Sequence, residues 1–124
     1  MAADDLGPDR RRRAQGRKAD GLHGALTRLD PTLARWADDH IFGDVWSEDA
    51  LRFEDRVLVA IAMLAATGRR NQLRNYLHGA LQDGRTPEEL REVVRMTTVY
   101  AGFPAAIEAG LELDAVLRSA GGES

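Results

Sequence analysis

Apolar residues recur at helical spacing along most of this chain, and glycine or proline interrupts them at regular intervals. Asp30-Pro31 reads as an N-cap with proline at the first helical position. Leu33, Trp36, Ala37 and His40–Ile41 then follow on one face, and Gly43 is expected to stop that helix. A second helix is predicted from Phe53 to Thr67, with Gly68 as its stop. Its stretch from Val57 to Ala66 is apolar all round, the pattern of a helix buried on every side. A single chain of this length has too few other elements to wrap such a helix, so self-association is expected. The third helix runs from about Asn71 to Gln82, with Leu73, Tyr76, Leu77, Ala80 and Leu81 inward and Gly84 after it. Thr86-Pro87-Glu88-Glu89 forms a capping box for a fourth helix whose inner stripe is Leu90, Val93, Val94, Thr97, Thr98 and Ala101. Gly102-Phe103-Pro104 breaks it, and a last helix runs from Pro104 to about Leu117. No alternating run of β-branched residues and no hairpin turn signal is present, so the fold class is all-α.

The N-terminal stretch departs from this pattern. Residues 1–20 carry six Lys/Arg, including Arg10-Arg11-Arg12-Arg13, and four aspartates with little apolar between them. Such a composition does not bury enough surface to offset its ordering entropy. Residues 1–22 are therefore expected to be a disordered basic leader, and residues 23–120 a single helical domain. The net charge of −3 argues against nucleic acid as a partner. The chain has no cysteine, which excludes thiolate chemistry and disulfides. No secretory h-region is legible, and the longest apolar run is about half of what a membrane span needs. A cytoplasmic protein with no membrane partner is the expectation.

Candidate chemistry comes from titratable and aromatic residues near helix ends. His23, His40 and His78 share no metal-ligand spacing, and neither a phosphate loop nor a nucleophile elbow is present, so no cofactor or metal is expected. Tyr76 sits on an apolar face, either as a core tyrosine with one hydrogen bond or as a donor to a substrate oxygen. His78 lies two residues on, about 200° around the helix, on a face with Asn71, Arg74, Asn75 and Gln82, and is expected to be solvated. Arg56 abuts the apolar run and needs an anionic partner, which is Asp44, Glu92 or a substrate carboxylate. Asp44 and Trp46 follow Gly43, Tyr100 ends the fourth helix, and His40 is the histidine near the Gly43 loop.

Several runs together resemble the carboxymuconolactone decarboxylase family, relatives of the alkylhydroperoxidase D proteins. They are Phe42-Gly43-Asp44-Val45-Trp46-Ser47, Leu51 with Arg56, and Ala62-Met63-Leu64-Ala65-Ala66-Thr67-Gly68, followed by Gly79-Ala80-Leu81, Thr86 to Val93 and Tyr100-Ala101-Gly102-Phe103-Pro104-Ala105-Ala106. The resemblance spans about residues 30–117. It implies a single-domain alkylhydroperoxidase D-like helical bundle that assembles as a homotrimer or homohexamer.

The departures from the family pattern run in one direction. Tyr76 stands where these decarboxylases typically carry histidine, Glu48 where an arginine is common, and Ile107 where an asparagine is frequent. Arg69 and Gln72 occupy the cysteine positions of the peroxidase branch, which excludes peroxidase chemistry by that route. With the resemblance, these residues imply a cofactor-free enzyme, a decarboxylase or proton-transfer catalyst. Its expected substrate is a less charged aromatic, lactone or polyketide-like intermediate of a bacterial biosynthetic or aromatic-degradation pathway. Tyr76, Asp44, Arg56 and His40 are the catalytic candidates, and Trp46, Tyr100, Phe103 and Ile107 the substrate-binding ones. The alternative is a non-catalytic, oligomeric ligand-binding or accessory protein on the same scaffold.

Overall fold

The computed structural model describes residues 3–120. Among them there is no strand, and the all-α expectation holds. The elements are α1 (Ala3–Gln15), a 3-10 turn (Gly16–Lys18), α2 (Ala19–Leu29) and α3 (Pro31–Trp36). The chain continues as a π-helical stretch (Ala37–Asp44) and a second 3-10 turn (Val45–Ser47). Then come α4 (Phe53–Ala66), α5 (Arg70–Gln82), α6 (Pro87–Tyr100) and α7 (Phe103–Ala120). None of these helices is long and apolar enough to cross a membrane.

Local chemistry explains the starts of α3 and α6. The Asp30 carboxylate accepts from the Thr32 amide at 3.0 Å. At α6, the Thr86 hydroxyl accepts from the Glu89 amide at 3.1 Å while the Glu89 carboxylate accepts from the Thr86 amide at 2.8 Å. Helices α4 to α7 pack on one another around a core built from Val57, Ile61 and Ala65, Leu73 and Leu77, Leu90, and Leu113 and Val116. Two arginines of α5 fasten it to α7. Arg70 and Arg74 both reach the buried Glu112, and Arg70 also pairs with Glu108.

The expectation of a disordered leader over residues 1–22 does not hold for the described part of that stretch; residues 1 and 2 lie outside it. Helix α1 packs against α5 and against the π-helical stretch, with Ala14 fully buried. It comes so close that a β-carbon at Gly79 of α5 would overlap the Ala14 carbonyl, and one at Gly7 would overlap the Asp38 carbonyl. Several of its charges find partners across the fold. Arg11, 5 % exposed, donates to Asp38 at 2.7 Å and to the Ala19 carbonyl at 3.2 Å. Arg13 forks onto both oxygens of Asp83, and Arg17 donates to Ser119 at 2.9 Å. Composition counts these charges but is blind to the carboxylates that await them.

Gly43 also fails to stop its helix. The chain passes through it in π-helical turns, and the Val45 amide still bonds back to His40 and Ile41. The helix predicted from Phe53 is present, but in the single chain its outward side chains are open. Val59 and Met63 of α4 join Met96, Val99 and Tyr100 of α6 and Phe103, Ile107 and Leu111 of α7 as exposed large apolar residues.

Candidate functional site

A cleft of about 440 Å³ opens between α1, the loop after the π-helical stretch and the first turn of α4. Trp46 and Phe53 wall it, and its charged lining is mixed: Arg10, Arg13, Arg52 and Arg56 with Asp9, Glu48 and Asp49. The loop is held in place by its own backbone. Ser47 donates to the Asp44 carbonyl at 2.6 Å, and Arg56 of α4 donates to the Glu48 carbonyl at 2.6 Å and the Leu51 carbonyl at 3.5 Å. Arg56 thereby closes residues 48–56 into a tight cover over the start of α4.

Behind the cleft lies an aromatic stack. The Trp46 ring is 5.4 Å from Phe42, 5.2 Å from Phe53 and 6.2 Å from Tyr76, all tilted. The Arg13 guanidinium rests 4.0 Å over the Phe53 ring. Tyr76 is 8 % exposed, so burial pushes its hydroxyl above the ordinary phenol range, with the Gln15 side chain pulling the other way. A buried tyrosine of this kind stays protonated at neutral pH, so its hydroxyl can donate or accept a hydrogen bond but is no base. Gln15 itself is buried, and its Oε1 has no hydrogen-bond partner.

The structure brings together two of the residues singled out from the sequence and sets the others apart. Trp46 and Arg56 line the same cleft, while Tyr76 lies behind Trp46 and is not among the residues lining it. His40 and Asp44 sit on the outer side of the π-helical stretch, 4.0 Å apart and both largely exposed, because the continuing helix turns them away from the cleft. Arg56 pairs with neither Asp44 nor Glu92; its bonds go to main-chain carbonyls. Tyr100 lines a separate apolar cleft of about 320 Å³ between α4 and α6, with Leu58, Ala62 and Met96. Phe103 and Ile107 are exposed on α7. The α6–α7 turn therefore does not meet the loop that carries Trp46, and the three residues are not part of this site in the single chain.

His78 is a further correction. It is 9 % exposed, since Gly16–Lys18 cover the face of α5 that reads as polar. Burial lowers its basicity, and Arg17, Lys18 and Arg74 add to the effect. Sequence reasoning missed Arg52 and Phe53 around the start of α4, and also Arg10, Arg13 and Gln15, all on α1. The sequence signal for the α1 residues was Gly79, a glycine inside a helix, which marks a place where another backbone comes close.

The profile of the carboxymuconolactone decarboxylase family matches residues 31–115, more than half of the chain. The chain belongs to that family. The matched segment of this family member includes the aromatic stack and Arg56 but begins after α1 and α2. It is 42 % identical over 65 residues to the 4-carboxymuconolactone decarboxylase of Acinetobacter baylyi, covering 52 % of this chain and 48 % of that protein. It is 31 % identical over 77 residues to the nitrosuccinic acid decarboxylase of Metarhizium robertsii, covering 62 % of this chain and 51 % of that protein. These alignments span about half the length of each relative.

Proposed function

We propose that this chain is a decarboxylase of a small organic acid, with the substrate bound in the cleft between α1 and α4. The observation that carries the reading is that Arg56 and Trp46 line one cleft in a member of a decarboxylase family. Both relatives are named as decarboxylases of acids, a lactone in one case and a nitro compound in the other. When carbon dioxide leaves, the bonding electron pair stays on the substrate and moves toward an oxygen of such an acceptor. A fixed cation placed there lowers the barrier because it need not reorganise as the charge develops. Arg56 is that cation, pre-positioned by the Glu48 and Leu51 carbonyls. Trp46 and Phe53 supply an apolar wall that favours loss of a charged carboxylate. Glu48, which also lines the cleft, relays the proton that replaces the lost group.

The assay is release of carbon dioxide from 4-carboxymuconolactone and from nitrosuccinate. We expect turnover of one of them, and a fall of about 10²-fold or more in kcat for Arg56→Ala, as for loss of an oxyanion donor. Turnover unaffected by Arg56→Ala would remove the residue from the mechanism. A second reading, a non-catalytic ligand-binding subunit, is favoured by one observation: Tyr76, His40 and Asp44 do not line the cleft. Acid binding without release of carbon dioxide would establish it. In either case the exposed apolar residues of α4, α6 and α7 fit assembly with further copies of the chain, as a homotrimer or homohexamer.

A further inference from the structure

A separate cavity of about 240 Å³ lies between the 3-10 turn Gly16–Lys18 and the C-terminal end of α5, lined by Arg17, His78, Leu81 and Gln82. It shares no lining residue with the cleft between α1 and α4 or with the apolar cleft between α4 and α6. Its walls are fixed relative to one another. Gly16 turns the chain with a φ of +72°, and a β-carbon there would stand 3.1 Å from the Gly79 amide nitrogen, so the turn rests directly on α5. His78 is nine-tenths buried beneath that turn yet still lines the cavity.

The charge around this cavity has one sign. Arg17 donates through Nη2 to the Ser119 hydroxyl at 2.9 Å, a partner that orients the guanidinium without cancelling its charge. Its Nε and Nη1 keep N–H groups for another acceptor. Among the described residues no carboxylate oxygen lies within 4 Å of Arg17, Lys18 or the His78 ring. The carboxylates of the surrounding elements are engaged elsewhere, Glu112 by Arg70 and Arg74 and Asp83 by Arg13. Burial first, and then Arg17, Lys18 and Arg74, lower the basicity of His78, so at neutral pH its imidazole is uncharged and offers one N–H. The Gln82 amide adds a third kind of donor. A flat carboxylate has two oxygens to share among these groups, whereas a tetrahedral phosphate presents oxygens in several directions and meets all three.

We propose that Arg17, His78 and Gln82 form a binding site for a phosphate group, free or carried as a small monoester. The probe is inorganic phosphate, titrated at fixed pH and ionic strength into the full chain, with acetate as the control, and read by nuclear magnetic resonance. Phosphate shifts the His78 ring protons saturably and leaves those of His23 and His40 in place, and acetate does not reproduce the effect. Arg17→Gln weakens phosphate at least about tenfold, the scale of one charge-assisted hydrogen bond, and Arg17→Lys recovers part of that loss. Arg17 and Gln82 are both exposed, so these changes leave the core intact. Should Arg17→Gln nevertheless fail to fold, Gln82→Leu removes a donor from the other wall and weakens phosphate as well. Shifts that do not saturate, an equal response to acetate, or unchanged affinity in the folded variant overturn the proposal. Methyl phosphate distinguishes the two sources: tighter binding than inorganic phosphate supports a monoester, and equal or weaker binding supports the free ion.

Discussion

Glu112 of α7 lies 2.7 Å from Nε of Arg74 of α5, with its carboxylate 4 % exposed. Burial alone would raise its pKa, but the hydrogen bonds and charges of Arg74 and Arg70 outweigh that and leave it lowered. A carboxylate with a lowered native pKa stabilises the fold above its unfolded value of about 4.3, and the contribution is lost as pH falls through the lowered native value. Wild-type thermal stability should therefore fall off below about pH 4, and Glu112→Gln should flatten part of that slope. Because both arginines are partly exposed, the neutral-pH cost of Glu112→Gln should be about 1–2 kcal/mol, less than for a fully buried pair. Denaturant unfolding of both proteins across this pH range is the check. An identical acid limb in the two would refute the assignment.

Gly79→Ala isolates the docking of α1. In an open helix this substitution stabilises by about 1 kcal/mol. Here the new methyl group would overlap the Ala14 carbonyl, so α1 must move. We expect a lowered melting temperature and faster amide exchange along residues 7–16, with α6 and α7 unchanged. A stabilised variant would show that α1 does not rest on α5 in solution.

His78 gives the same contact a pH dependence of opposite origin. Its native pKa is lowered, first by burial and then by Arg17, Lys18 and Arg74. The unfolded chain thus takes up a proton near pH 6.5 that the native state resists, and stability declines as pH drops below that point. Ring-proton titration of His78 should show a value below that of a free histidine. Arg17→Gln should bring it part of the way back, and an unchanged value in that variant would exclude Arg17 as a cause.

Met63 tests the assembly. It is 63 % exposed, in the middle of the apolar α4 run. Light scattering on the eluted protein should give three or six subunits, and Met63→Glu should reduce that mass because an interface core rejects an unpaired charge. A wild-type monomer would discard the proposed assembly.

The bundle was legible because its signals are local. The capping box at Thr86, the N-cap at Asp30 and the apolar stripes of α4 to α6 each declare themselves within a few residues. The site was legible only in part. Trp46 and Arg56 sit on either side of one short loop, so their proximity follows from chain connectivity. Arg10 reaches Phe42 from thirty-two residues away, and Arg13 reaches Asp83 from seventy. No periodicity encodes such pairings. The π-helical stretch misled in another way: Gly43 looks like a stop, but the Arg10 guanidinium binds the carbonyls there and the helix runs on.

Helix α1 touches its neighbours at Gly7 and Gly79 through main-chain atoms, and main-chain atoms are the same whatever the side chains beside them. So long as both glycines persist, the cleft-facing positions of α1 are free to change without disturbing the four-helix core. One short helix thus gives the domain a wall whose outward side chains can vary while its backbone contacts with the bundle stay constant.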